Sequence, residues 1–243
     1  MIAGTPNHTR DSGSASRPKA MVSLSGGMDS AVCLALAARD YDVYALHFSY
    51  GQQTEQKELE SARAVAEIVG VRQFLPLRID LFRRIGGSAL TDETIAVPKV
   101  TQADKIGHEI PVTYVPFRNA HFLSAAVSWA EVLGAPKVFI GAVEQDSSGY
   151  PDCRPAYYDA FNQLIRAGTR DGDIEIVTPL IHMKKSAIIQ LGISLGAPLE
   201  ATWSCYESEK QACGVCESCV LRLRAFGEAG AVDPIPYEAA KFS

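Results

Sequence analysis

From residue 20 onward the chain alternates short apolar runs with longer amphipathic stretches, which is how a parallel sheet covered by helices is written. The runs AMVSL at 20–24, VYALHF at 43–48 and KVFIGAV at 137–143 predict strands, with further strands over 72–77 and 174–177. Helical spacing predicts helices over 30–39, 54–69, 119–133, 157–166 and 185–195. The segment 85–111 mixes Gly, Pro, Thr and charge without period, so a loop over the active-site end is expected. Residues 1–19, rich in Ser, Gly, Thr and Pro, predict a flexible tail. The fold class expected is α/β: a doubly wound, mainly parallel sheet over 20–200, with a small C-terminal segment, 201–243, packed on it. No internal repeat is visible.

Composition narrows the function classes. The chain has 243 residues, 47% apolar and 21% charged, an ordinary soluble globular balance. A chain this long buries roughly 70% of the surface its unfolded form exposes, so its core needs no disulfides. With 23 Lys plus Arg against 28 Asp plus Glu, the net charge of −5 offers no broad basic surface for a nucleic-acid backbone. The longest apolar run, 31–38, is far short of the ~20 residues of a membrane span. The first 20 residues lack the apolar stretch of a signal peptide, so a cytoplasmic protein is expected.

Between the first predicted strand and helix lies Leu24-Ser25-Gly26-Gly27-Met28-Asp29-Ser30. Two glycines let backbone amides approach an anion, and a helix N-terminus adds free N–H groups and a positive dipole end. The loop lacks the Lys of a Walker A sequence and the spacing of a dinucleotide fingerprint, which disfavours both. On its own, such a turn also fits a plain strand-to-helix connection capped by Asp29 or Ser30.

Of six cysteines, Cys205, Cys213, Cys216 and Cys219 fall within fifteen residues as C-x7-C-x2-C-x2-C. Four thiolates complete a tetrahedral Zn²⁺ shell with no open position, the mark of a structural site. An iron–sulfur cluster is the chemical competitor.

The full string SGGMDS resembles the SGGxDS loop of the PP-loop ATP pyrophosphatases, which cleave ATP between the α and β phosphates and transfer AMP to a substrate oxygen. The resemblance implies that Ser25, Gly26, Gly27, Asp29 and Ser30 hold the leaving pyrophosphate, with Asp29 also helping to hold Mg²⁺. It implies a nucleotide-contacting stretch of Leu24, Ser25, Gly26, Gly27, Met28, Asp29, Ser30, Ala31, Val32, Cys33 and Leu34. Over nearly everything from residue 20 onward the chain resembles the QueC family. The matching strings are YGQ at 50–52, TYVPFRN at 113–119, SGYPDCRP at 148–155, TPL at 178–180, TWSCY at 202–206 and CGVCESCVLRLRAF at 213–226.

That resemblance implies conversion of 7-carboxy-7-deazaguanine and ammonia to 7-cyano-7-deazaguanine in queuosine biosynthesis. The acid is adenylated by ATP, ammonia displaces AMP to leave an amide, and a second adenylation on the amide oxygen precedes elimination to the nitrile. It further implies one structural Zn²⁺ per chain, ATP with Mg²⁺ as cosubstrate, a homodimer, and no direct contact with nucleic acid or membrane. The chain departs from the family pattern at Phe117, where Gly is usual, and at Gln53-Thr54, where a basic or imidazole pair is usual.

Other residues divide by role. Arg118, at the mouth of a predicted helix, is a candidate for bidentate binding of phosphate or of the substrate carboxylate. Lys185, opening the helix after TPL, is a candidate to face pyrophosphate. These two join Ser25, Asp29 and Ser30 as the candidate catalytic set. Asp152 and Arg154 are candidates to recognise the guanine-like edge or the carboxylate. Tyr50 and Gln52 fall at a strand end, the edge where open α/β sheets bind ligands. Glu58 reads as a solvated charge on an exposed helix face. His47, His121 and His182 read as core or capping groups and Cys33 as packing, while Cys153 either packs or borders substrate. The rivals are a PP-loop amidotransferase or thiolating enzyme, a ligase joining a deazapurine to another amine, and, from a different class, a nucleic-acid-binding zinc module.

Overall fold

A computed structural model describes residues 17–100, 109–144 and 149–238. The chain runs β1 (Lys19–Ser23), α1 (Met28–Ala37), β2 (Asp42–Ser49), α2 (Glu55–Val69), β3 (Gln73–Arg78), α3 (Leu81–Ile85) and α4 (Arg118–Leu133). It continues through β4 (Lys137–Ile140), α5 (Pro155–Gly168), β5 (Glu175–Val177), α6 (Lys185–Leu195) and α7 (Glu217–Glu228). Among the described residues the sheet has five strands in the order β3-β2-β1-β4-β5, and every neighbouring pair is parallel.

Alternation along the strands divides the interior in two. Ala20 and Val22 of β1, with Val43 and Ala45 of β2, face a core shared with α1, α2, α6 and α7. Met21 of β1, with Leu46 and Phe48 of β2, faces a second core filled by α4 and α5. Both faces are thus covered, as a parallel sheet requires, and the strands read as nearly continuous apolar runs for that reason.

Several boundaries differ from the sequence reading. Of the segment 1–19 expected as a tail, residues 1–16 lie outside the described residues, whereas Lys19 opens β1 and donates through Nζ to the Leu133 carbonyl at 2.9 Å. Part of the expected 85–111 loop, residues 101–108, and Ser148 of the SGYPDCRP string also lie outside the described residues. Strand β4 ends at Ile140, three residues early, because the chain must pass close over α1: a Cβ on Gly141 would lie 2.7 Å from the Asp29 carbonyl oxygen. Helix α7 was not expected, and it belongs to the main body, since Ala225 and Phe226 share the first core with Ile188 of α6. No helix among the described residues is long and apolar enough to cross a membrane.

Candidate functional site

The sheet order reverses direction at β1, and the C-terminal ends of β1, β2 and β4 open onto a cavity of about 290 Å³. A switch point of this kind is where open α/β sheets bind ligands. Ser25, Gly27, Met28, Asp29 and Ser30 line its floor, joined by Tyr50, Arg118, Lys185, Trp203 and Tyr206.

The loop after β1 is held open by its own bonds. Ser30 Oγ donates to the Gly27 carbonyl at 2.8 Å, and Ser25 Oγ, 3.0 Å from Ser30 Oγ, accepts the Gly27 N–H at 3.2 Å. Gly26 takes φ 91°, a region that favours glycine, and a Cβ there would lie 2.4 Å from the Glu58 carbonyl oxygen. Helix α2 therefore packs directly on the loop. No side chain caps α1 at Gly27, so neither Asp29 nor Ser30 spends itself as a cap and the helix dipole faces the cavity. Of the stretch expected to contact a nucleotide, residues from Leu24 to Ser30 except Gly26 line the cavity. Ala31, Val32, Cys33 and Leu34 are fully buried in the first core instead, where burial pushes the Cys33 thiol up.

Lys185, the first residue of α6, reaches back to Asp29, with Nζ 2.7 Å from Oδ2. Asp29 Oδ1 is buried without a hydrogen-bond partner. A carboxylate oxygen left so beside a phosphate-type loop fits a divalent cation, a hard ion that takes oxygen ligands.

Arg118 begins α4 and lies over the rings of Tyr50 and Phe122, at 5.3 and 5.6 Å from their centroids. Its Nη1 donates to the Tyr50 hydroxyl at 2.9 Å, while its Nε is buried without a partner. Asp152 is buried, and its Oδ2 accepts the Asn119 N–H at 3.2 Å and so serves the start of α4. Burial pushes the Asp152 carboxyl up, against the opposing pull of Arg118. Neither Asp152 nor Arg154 lines the cavity; Arg154 is exposed at the N-cap of α5, so the loop they share contributes Cys153 and Tyr150 to the wall instead. Burial pushes the Cys153 thiol up to about 12.

Glu58 is the clearest departure from the sequence reading. It is half-buried at the cavity wall, with Oε2 accepting from Gln52 Nε2 at 2.9 Å and Oε1 lying 3.0 Å from Thr54 Oγ1. Burial pushes its carboxyl up to about 7. Gln52 in turn accepts the Tyr50 N–H at 2.8 Å, so it organises the wall from behind. His47 is buried, its ring Nδ1 set 2.9 Å from the Leu24 carbonyl, and burial lowers its pKa; the neutral ring pins the end of β2 to the loop. His121 and His182 are exposed.

Cys205, Cys213, Cys216 and Cys219 are all buried and their sulfurs lie within 4.8 Å of one another. A tetrahedral zinc shell with Zn–S near 2.3 Å needs sulfurs roughly 3.8 Å apart, so the cluster fits a metal after slight contraction. Backbone N–H groups of Cys213 and Cys216 point at Cys205 Sγ and Cys213 Sγ, each at 3.3 Å, the usual support for thiolate charge. Between the first and second cysteines and just before them, the same segment delivers Trp203, Ser204 and Tyr206 to the cavity wall.

Fold and site together define a parallel α/β protein with a glycine loop at its switch point and, beside it, a buried four-cysteine cluster that could hold a metal. The model of the family described as "Queuosine biosynthesis protein QueC" matches residues 19–230, and the chain belongs to that family. It is 69% identical over 222 residues to a 7-cyano-7-deazaguanine synthase from Acidobacterium capsulatum, covering 91% of this chain and 97% of that one. A protein of the same name from Koribacter versatilis is 63% identical over 222 residues, covering 90% and 93% of the two chains. One from Chlorobaculum tepidum is 54% identical, covering 90% and 96%.

Proposed function

We propose that the chain is an ATP-dependent carbon–nitrogen ligase that makes 7-cyano-7-deazaguanine from 7-carboxy-7-deazaguanine and ammonia. The observation that carries this reading is one cavity in which the anion loop, the Asp29–Lys185 pair and the partly unsatisfied Arg118 converge. Family membership supplies the substrate class.

In this reading the loop amides, Ser25, Ser30 and Lys185 receive the β and γ phosphates, placing N–H and N⁺ donors where charge gathers as pyrophosphate departs. Asp29 would hold Mg²⁺, which when bound supplies further neutralisation of that charge. Arg118 binds the acid's carboxylate and turns one oxygen toward the α phosphate. Attack there makes an acyl adenylate and releases pyrophosphate, and ammonia then displaces AMP to give the amide. A second ATP adenylates the amide oxygen; loss of the remaining nitrogen protons and of AMP leaves the nitrile. Two AMP and two pyrophosphates are released per nitrile, and no covalent enzyme intermediate is needed. Zinc is the proposed occupant of the four-cysteine cluster, in a structural role. The proposed assembly is a homodimer and the proposed setting the cytoplasm, where thiols stay reduced.

The test is to incubate the protein with ATP, Mg²⁺, ammonium and 7-carboxy-7-deazaguanine and identify products by mass. AMP, pyrophosphate and the nitrile are expected. Release of ADP in place of AMP, or no nitrile from either the acid or its amide, overturns the reading.

A further inference from the structure

We propose that Glu58 is the base that takes the nitrogen-bound protons in the later half of the reaction, an assignment that rests on the ligase reading above. Adenylation of a carboxylate moves no proton. Formation of the amide from ammonia and of the nitrile from the adenylated amide both release protons from nitrogen, and an acceptor must stand at the reacting centre. Among the described residues that line the cavity, the carboxylates are Asp29 and Glu58, and histidine is absent. Asp29 is engaged by Lys185 at 2.7 Å. The phenols of Tyr50 and Tyr150 and the thiol of Cys153 are all pushed up by burial, which leaves them protonated and poor acceptors at neutral pH.

The seat of Glu58 suits a group that must exist in both protonation states. Thr54 Oγ1 lies 3.0 Å from Glu58 Oε1 and 3.1 Å from the Cys205 carbonyl oxygen, yet a hydroxyl has one proton to give. With Glu58 ionised, that proton serves the carboxylate. With Glu58 protonated, its own O–H donates to Thr54 and the Thr54 proton turns to the Cys205 carbonyl, with no heavy atom moving. Gln52 Nε2 donates to the other oxygen in either state. Position supports the same role, because the turn of α2 that carries Glu58 touches Gly26 of the anion loop. The charged and titratable groups acting on it are Glu55 from α2 itself, Arg118 from α4 and Tyr50 at the end of β2. The carboxyl, near 7, is part ionised at working pH, as a base of this kind needs.

The experiment compares two steps in three proteins: the wild type, Glu58→Gln and Glu58→Asp. Exchange of labelled pyrophosphate into ATP with the acid present and ammonium absent reads adenylation alone. Turnover of the amide with ATP to nitrile reads the proton-releasing step without the ammonium equilibrium. Expected for Glu58→Gln is exchange within threefold of wild type and amide kcat lowered by about 10²-fold or more, with part of the rate restored in Glu58→Asp. In the wild type, amide kcat should rise with pH through about 7 and level off, and the rise should vanish in Glu58→Gln. Unchanged amide kcat in Glu58→Gln, or a loss confined to KM, overturns the assignment while leaving the ligase reading intact. Wild-type protein that makes no nitrile defeats the ligase reading itself. If Glu58→Gln fails to fold, the wild-type profile decides alone: a flat amide kcat between pH 6 and 8 overturns the assignment.

Discussion

At the scale of single residues, Arg118 is held firmly and left chemically unfinished: two rings support its guanidinium, Tyr50 accepts one N–H, and Nε has no partner. A planar fork with donors to spare matches a carboxylate in two-point fashion, and an ammonium does not. Arg118→Lys should therefore raise KM for the acid by roughly 10–100-fold, about 1.4–2.8 kcal/mol, and change KM for the amide far less. Steady-state kinetics with both substrates checks this; equal losses for acid and amide would show that Arg118 does not read the carboxylate. Its candidacy was legible because an arginine stands at the start of an apolar helix. Glu58 was not legible. Helical periodicity places it on the polar face of α2, and periodicity cannot say that Gly26 lands on that same turn or that Gln52 and Thr54 fold back onto its oxygens. The departure at Gln53-Thr54 also gains meaning only in three dimensions, since Thr54 is the buried partner of Glu58 while Gln53 is exposed.

Among elements, strong periodicity was enough to reveal the sheet and its covering helices, and α6 begins and ends where spacing puts it. Two helices escaped. Helix α3 has five residues, too few for a period to show. In α7 a buried charge, Arg222, and a metal-type ligand, Cys219, occupy positions that a core stripe would give to apolar residues, so the pattern cancels. The end of β4 is set by contact rather than pattern: Gly141 passes 2.7 to 2.9 Å from Asp29 and Ser30 backbone atoms when given a Cβ. Real Cβ atoms do not sit that close to backbone, so Gly141→Ala must displace the first turn of α1, which carries Asp29 and Ser30. The expected result is a drop of at least about tenfold in kcat/KM for ATP, about 1.4 kcal/mol, with the melting temperature less affected than a core substitution would make it. A variant with unaltered ATP kinetics would show that the loop tolerates the shift and that its geometry is not what positions ATP.

For the whole molecule, the C-terminal segment has two anchors of different kinds. One is electrostatic: Arg222, itself buried, donates Nε to Asp233 Oδ2 at 2.7 Å and Nη1 to Thr202 Oγ1 at 2.8 Å, while the Tyr237 hydroxyl donates to the same carboxylate at 2.7 Å. Such a pair is costly to break one partner at a time, since the survivor stays buried and charged. The other anchor is the four-cysteine cluster, whose segment sets Trp203 and Tyr206 in the cavity wall. Because α7 also shares the main core through Ala225 and Phe226, removing a metal held by the cluster should release the cysteine loops without unfolding α7 or the sheet. Treatment with a strong chelator should thus increase amide hydrogen exchange across residues 203–219 while protection in β1, β2 and α1 persists. Turnover should fall in step with that loss, through the wall and not through the reacting atoms, and recover when zinc is returned. Two measurements on one sample decide it: activity that disappears with exchange at 203–219 unchanged would put the metal in the chemistry and overturn the structural role. The acidic balance of the chain agrees with the proposed function, since a free base and ATP would be gathered by one concave site that offers Arg118 and Lys185, and no extended basic face is required.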